Sequence, residues 1–188
     1  MKLILLASLL ILIAAFLLRW WYGRRVLAIW GNHPCRCNLQ KWLPPADDTR
    51  TVHRAEGTAG EFARELHGKA ITDWKKDRSR ASKGRENARR FTNLIPPLCM
   101  ALAVLIVFTG RMPIMGVIAV GAAMTALGLF MSILSLPSEL QAIRQEINTL
   151  REQKCFPNRE DESAIIRCAM AYPWLDLLPA WLKWISRA

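Results

Sequence analysis

The 188-residue sequence lacks the short motifs that identify the common enzyme classes. It has no H-E-x-x-H pair of zinc-binding histidines, no G-x-S-x-G nucleophile turn, and no glycine-rich loop for phosphate or dinucleotide binding. Its three histidines, His33, His53 and His67, are scattered along the chain. The sequence therefore carries no signature of a serine hydrolase, a nucleotide-binding enzyme or an ordinary zinc peptidase.

The cysteine pattern does not suggest a disulfide framework. The five cysteines are an odd number, and one of them, Cys99, lies in an apolar run; the others are Cys35, Cys37, Cys155 and Cys168. Reduced thiols in a cytoplasmic setting are the simpler interpretation.

Acidic residues are few as well, at 15 against 26 Lys and Arg, which gives a formal net charge of +11. Residues 1–93 hold 18 of the basic residues against 8 acidic ones, so the surplus lies there. Binding to nucleic acid and a cytoplasmic loop attracted to anionic lipid are the competing explanations. Because the positive-inside rule accounts for the charge without a further partner, we expect lipid and not nucleic acid.

The sequence is rich in long runs of apolar residues. Three uninterrupted apolar runs, Leu3–Leu18, Leu94–Phe108 and Ile114–Leu136, predict three membrane spans. The first ends at an aromatic and basic belt that begins at Trp20, and bulky residues there favour an uncleaved signal anchor over a cleaved signal peptide. The short connector Thr109–Pro113 forces the other two into an antiparallel hairpin. The fold class is thus an all-α integral membrane protein with cytoplasmic and interfacial helices.

The predicted organisation has four parts. They are an N-terminal transmembrane anchor with an interfacial extension (1–30), a basic cytoplasmic loop with short helices (31–93), a transmembrane hairpin (94–136), and a cytoplasmic helix followed by an interfacial C-terminal helix (137–188). A short fourth span is the alternative for the last apolar stretch. We expect a plasma (inner) membrane location with the N-terminus outside and both the 19–93 loop and the C-terminus in the cytoplasm, Arg111 being the only basic residue of the short outer loop.

Several local signals mark where helices begin and end. Thr58 and Glu61 have the spacing of a capping box, and Gly68 is a candidate helix stop. The sequence Leu136-Pro137-Ser138-Glu139 predicts a turn at the membrane exit, after which a cytoplasmic helix runs from Ser138 to Lys154. Glu139 in the first turn of that helix would offset its dipole.

One face of the third span is lined by small residues at helical spacing, namely Gly121, Thr125, Gly128 and Ser132. Such a stripe lets another helix approach closely. We expect it to be a helix-packing face for a membrane-protein partner or a second copy of the chain.

His33, Cys35 and Cys37 place three possible metal ligands within five residues. Zinc or copper(I) could use them, although the spacing is not that of a zinc knuckle and the fourth ligand, with His53 as a distant candidate, is not evident. Ordinary loop residues are the competing interpretation. We expect no cofactor, with zinc as the metal to test.

The region Arg89–Ile185 resembles the C-terminal half of the bacterial neutral zinc metallopeptidases of the YugP type. The similar segments are the hairpin, Leu136-Pro137-Ser138-Glu139, and the stretch Ala164–Tyr172; the opening anchor and Thr58–Arg64 resemble that family's start. The resemblance implies that Glu139 occupies the position of the third metal ligand. The family's histidine-bearing catalytic helix has no counterpart in Lys69–Arg90, which contains no histidine.

The resemblance and the missing motif together predict a non-catalytic membrane scaffold or adaptor, a pseudoenzyme related to a membrane zinc metallopeptidase. A zinc-dependent membrane peptidase with an unrecognised ligand set is the alternative.

Overall fold

The computed structural model describes residues 2–37, 56–77, 80–110 and 113–185, and these are helical apart from one small two-stranded ribbon. The elements in chain order are α1 (Lys2–Leu18), a π-helical turn (Arg19–Arg24), α2 (Arg25–Trp30), β1 (Pro34–Arg36), β2 (Glu56–Thr58), α3 (Ala59–Lys76), α4 (Arg80–Phe108), α5 (Ile114–Glu152), α6 (Arg159–Leu175) and α7 (Ala180–Ile185). The all-α expectation is confirmed. His53, the candidate fourth metal ligand, and Arg111, the basic residue of the expected outer loop, lie outside the described residues.

Three helical stretches are long and apolar enough to cross a membrane: Leu3–Trp30, Arg80–Phe108 and Ile114–Glu152. Much of their apolar surface is not covered by protein. In α4 and α5, for example, Leu105 is 61% exposed and Leu134 is 60% exposed. Contiguous apolar surface of this kind is costly in water and favourable in hydrocarbon. These features are those of a membrane protein.

The chain divides into two compact units. The hairpin unit consists of Met1–Arg19, Ser79–Ser138 and Asp176–Ala188. The core unit consists of Trp20–Arg78 and Glu139–Leu175. The four-part division expected from the sequence followed the chain, whereas each of these units is assembled from separated segments.

In the hairpin unit, α4 and α5 approach closely at two glycines of α5. A Cβ added at Gly128 would lie 3.1 Å from the Cα of Thr92, and one added at Gly121 would lie 2.9 Å from the Cγ of Met100. The Thr92 hydroxyl lies 2.8 Å from the Gly128 carbonyl oxygen and 3.0 Å from the Ser132 hydroxyl. The small-residue stripe of α5 is therefore filled by α4 of the same chain.

The expected turn at Pro137 is not observed, because α5 continues through this residue to Glu152. A helical proline removes one backbone donor and crowds the carbonyl of the preceding turn. The carbonyl that loses its helical donor here is that of Ile133, four residues earlier. Leu136 and Ile143, on the two sides of the proline, are 2% and 0% exposed, so packing stabilises a continuous helix. The prediction of a helix start at Ser138, with Glu139 in its first turn, was wrong for this reason.

The core unit packs α3 against α6 and against the last turns of α5. Its buried apolar residues recur at helical spacing, as expected for amphipathic helices; they include Phe62 and Leu66 of α3, Ile143, Ile147 and Leu150 of α5, and Ile165 and Ala169 of α6. The apolar side of α6, expected at the membrane interface, is thus covered by protein. The β1–β2 ribbon, which pairs Cys35 with Gly57, lies in the segment (31–93) predicted to be a basic loop with short helices.

The start of α3 confirms the capping box. The Glu61 N–H donates to the Thr58 hydroxyl over 3.3 Å, and the Thr58 N–H donates to a Glu61 carboxylate oxygen over 3.1 Å. The predicted stop at Gly68 was wrong, because α3 continues to Lys76. Tertiary packing explains the continuation: Ala70, two residues beyond the glycine, is buried in the core unit and stabilises the helix past a weak helix former.

Replacing Gly128 with Leu should lower the free energy of unfolding by about 2 kcal/mol or more, because the new side chain meets the α4 backbone and forces the helices apart. Gly84→Leu is the matched control, since a Cβ at Gly84 meets nothing within 4 Å beyond its own helix. Unfolding in mixed detergent micelles measures both. Equal destabilisation by the two substitutions would contradict a close contact at Gly128.

Candidate functional site

Four of the five cysteines are buried in the core unit. Cys35 lies in β1 and Cys37 follows it, so strand alternation points both side chains to the same side. Cys155 lies between α5 and α6, and Cys168 lies on the buried face of α6. All four are free thiols.

Burial makes three of these thiols, those of Cys35, Cys37 and Cys168, weaker acids. Desolvation, followed by the nearby Asp161 carboxylate, raises the pKa of Cys35 from 9.0 to about 11. Desolvation, followed by the neighbouring Cys155 and Glu65, raises the pKa of Cys37 to about 12, and desolvation raises that of Cys168 to about 11. Without a cation beside them, these thiols stay protonated at neutral pH and are poor nucleophiles.

Two of the three sequence-predicted metal ligands come together with a third residue that was not predicted. The ligand atoms of His33, Cys35 and Asp161 all lie within 4.8 Å of one another, and His33 Nδ1 lies 3.4 Å from the Cys35 sulfur. Asp161 is in the first turn of α6, where it accepts a hydrogen bond from the Arg36 N–H over 3.2 Å. Cys37 is not a member of this group.

Glu139, the position that the family resemblance assigns to a metal ligand, lies in the core unit and is 0% exposed. Its Oε1 atom is 3.4 Å from His67 Nε2, and the His67 ring stacks on Tyr172 with a centroid separation of 5.6 Å. The Tyr172 hydroxyl in turn donates to the Gly60 carbonyl oxygen over 2.9 Å. The carboxylate is therefore part of a packed arrangement of α3, α5 and α6.

This arrangement does not fit a zinc site of the family's kind. Such a site needs about three protein ligands and one open position. Among the described residues, Glu139 belongs to no group of three metal-ligand side chains. His67 supplies one imidazole, and in the described part of the chain no third metal-ligand side chain completes a group with Glu139 and His67.

A polar cavity of about 190 Å³ lies in the hairpin unit, lined among others by Arg89, Asn93, Ser132, Asp176 and Lys183. Lys183 Nζ is 2.7 Å from one Asp176 carboxylate oxygen, and Arg89 Nη2 is 3.8 Å from the other. Two cationic side chains thus share one carboxylate, so these three groups carry a net positive charge.

Sequence reasoning missed Asp161 and the contact of His67 with Glu139. Asp161 is one of three acidic residues in the first turn of α6, and a favourable interaction with the helix dipole is enough to explain all three. His67 follows buried Ala63 by four residues on α3, so helical spacing was the available signal for its inward position. The partners themselves could not be predicted, because Asp161 contacts a residue 125 positions away in the chain and His67 contacts one 72 positions away.

The chain matches no protein-family model, no curated protein and no solved structure.

The thiol pKa values predict slow alkylation of the folded, metal-stripped protein. The thiolate is the reactive form, and a pKa of about 11 instead of 9.0 leaves about 100-fold less thiolate at neutral pH. In variants that retain only Cys35 or only Cys168, iodoacetamide should react at least about 100-fold more slowly in the folded than in the unfolded protein, since burial also limits access. The rate should rise as the pH approaches 11. Equal rates in folded and unfolded protein at neutral pH would contradict the buried environment.

Proposed function

We propose that the chain is a non-catalytic multi-pass membrane scaffold or adaptor, and a shortened relative of the YugP-type zinc metallopeptidases. In this proposal it lies in a bacterial plasma (inner) membrane. The N-terminus is outside, and residues 19–93 and the C-terminus are in the cytoplasm. The surplus of basic residues before residue 94 supports this orientation, because positive segments are retained on the cytoplasmic side.

The observation that carries the non-catalytic part of the proposal is the environment of Glu139. A catalytic metal ligand must face an open coordination position that substrate can reach. The Glu139 side chain is instead fully buried and faces His67, which is itself covered by Tyr172. A carboxylate held in this way supports the packing of three helices and has no access to substrate.

The partner surface is proposed on the exposed basic side chains and not on the small-residue stripe. Gly121 and Gly128 already contact α4, so that face supports the hairpin itself. Exposed cations lie at the end of α3 in the core unit, namely Lys75 and Lys76, and separately in the first turns of α4 in the hairpin unit, namely Arg80 and Lys83. Each pair attracts anionic lipid headgroups or an acidic face of a partner protein.

The polar cavity of the hairpin unit supports contact with anionic lipid. Arg89 and Lys183 line the cavity beside Asp176, and guanidinium and ammonium groups are donors of the kind that bind phosphate-bearing headgroups. Asn93 lies in the same cavity, where its side-chain oxygen accepts a hydrogen bond from the Ala180 N–H over 3.1 Å. The cavity thus combines charge and amide groups of the type that bind headgroups at a membrane surface.

Purification in a mild detergent tests the proposal. The protein should carry a stoichiometric membrane-protein partner or form a defined oligomer. Charge reversal of Lys75 and Lys76 to Glu should weaken that assembly at least about tenfold, because it replaces attraction with repulsion at the end of α3. Reversal of Arg144 and Arg159, two exposed cations outside the proposed surface, is the matched control and should leave assembly unchanged.

The same preparation separates the scaffold from the alternative, a zinc-dependent peptidase. Hydrolysis of unstructured polypeptide substrates is measured with and without a metal chelator. We expect no chelator-sensitive hydrolysis in wild type or in Glu139→Gln. Chelator-sensitive hydrolysis that disappears in Glu139→Gln, or a monomer without partners, would contradict the proposed function.

A further inference from the structure

Three side chains of different chemistry converge at one edge of the core unit. Cys35 is the central residue of β1, His33 precedes the strand, and Asp161 lies in the first turn of α6. The nitrogen, sulfur and oxygen atoms that they offer all lie within 4.8 Å of one another. Cys35 is 3% exposed and Asp161 is 9% exposed, so two of the three are removed from solvent.

Backbone contacts hold the group in place. The Ala59 N–H donates to the His33 carbonyl oxygen over 2.9 Å, which anchors the residue that precedes β1. The ribbon fixes Cys35 opposite Gly57, and the next residue, Arg36, donates its N–H to the Asp161 carboxylate over 3.2 Å. A ligand that accepts a second hydrogen bond from the protein is oriented by it, as is usual around bound metals.

The spacing suits a small tetrahedral ion. Nitrogen and oxygen ligands lie about 2.0–2.2 Å and sulfur about 2.3 Å from zinc, so tetrahedral ligand atoms are roughly 3.3–3.8 Å apart. The 3.4 Å between His33 Nδ1 and the Cys35 sulfur falls in that range. The largest separation in the group, up to 4.8 Å, exceeds this range by about 1 Å, so the ligand atoms would move together by about that distance when an ion binds.

The ligand set selects the class of ion. Thiolate and imidazole disfavour calcium and magnesium, which take oxygen ligands, and favour zinc and related transition metals. We infer that His33, Cys35 and Asp161 bind one zinc-type divalent ion, with the fourth coordination position open to water or to an exogenous ligand. The third protein ligand is therefore Asp161 of α6, and not Cys37 as the sequence indicated.

The Asp161 carboxylate beside Cys35 is a negative charge that a bound divalent ion would compensate, and a coordinating thiol is deprotonated on binding. Binding also joins the ribbon to α6, which lie far apart in the chain, so metal would stabilise the folded core unit.

Cobalt(II) is the probe for the test, because thiolate coordination gives it a charge-transfer absorption band. The full chain in detergent is stripped of metal, titrated with Co²⁺, and then displaced with Zn²⁺. We expect one equivalent to bind with the thiolate band. Cys35→Ser should abolish the band, and Asp161→Asn should weaken binding at least about tenfold, in line with losses of 10–100-fold for even indirect partners.

Two control variants separate this site from other assignments. Cys37→Ser removes a buried thiol that is not in the group, and Glu139→Gln alters the carboxylate that the proposed function treats as structural. Both should bind cobalt as wild type does. Loss of metal in Glu139→Gln alone would overturn the site and, with chelator-sensitive hydrolysis, the proposed function; loss in Cys35→Ser and Asp161→Asn supports the site whatever the outcome for the scaffold.

X-ray absorption of the zinc-loaded wild type tests the ligand set without any substitution, so a variant that fails to fold does not remove the test. The expected first shell has one sulfur and otherwise nitrogen and oxygen. A shell with two sulfurs, a wild-type protein that binds no cobalt, or unchanged binding in Asp161→Asn would overturn the inference.

Discussion

Pro137 removes a backbone N–H from the middle of α5, and the structure depends on the helix continuing through this residue. Burial of the residues on both sides of the proline keeps α5 one helix from Ile114 to Glu152. Nearby, the Arg85 guanidinium of α4 donates to the Ser132 carbonyl oxygen and to the Ser135 hydroxyl, over 2.6 and 2.9 Å. A buried charge is costly unless it is hydrogen-bonded, so these bonds stabilise Arg85 in its buried position.

The continuity of α5 determines what its second half does. Residues beyond Pro137 keep the helical period, so Ile143, Ile147 and Leu150 fall on one side and enter the core unit. Glu139 falls on a buried position of the same helix and meets His67. A helix that began after Pro137 would have placed Glu139 in an exposed first turn, where a carboxylate has a different role.

The sequence was sufficient for features that depend on nearby residues. The apolar runs, the Thr58–Glu61 capping box and the apolar spacing of the last turns of α5 all follow from local chemistry, and the structure has them. It was insufficient where tertiary contacts decide. The breaks expected at Gly68 and Pro137 do not occur, because packing of the neighbouring buried residues outweighs local propensity at both positions.

The candidate sites show the same division. The pattern His33-x-Cys35 was visible in the sequence. The third member of the group, Asp161, lies on α6, 125 residues after Arg36, from whose backbone N–H it accepts a hydrogen bond. Cys37 is only two residues from Cys35, but after burial the group that raises its pKa most is Cys155. Membership of a site is set by which element packs beside the ribbon, and that is long-range information.

A double-mutant cycle on His67 and Glu139, carried out with and without a metal chelator, tests the structural role of Glu139 most directly. A hydrogen-bonded pair in a packed core should give a coupling energy of about 1–2 kcal/mol that the chelator does not change. A coupling energy near zero, or one that appears only when zinc is present, would contradict a structural Glu139 and would favour a metal ligand at this position.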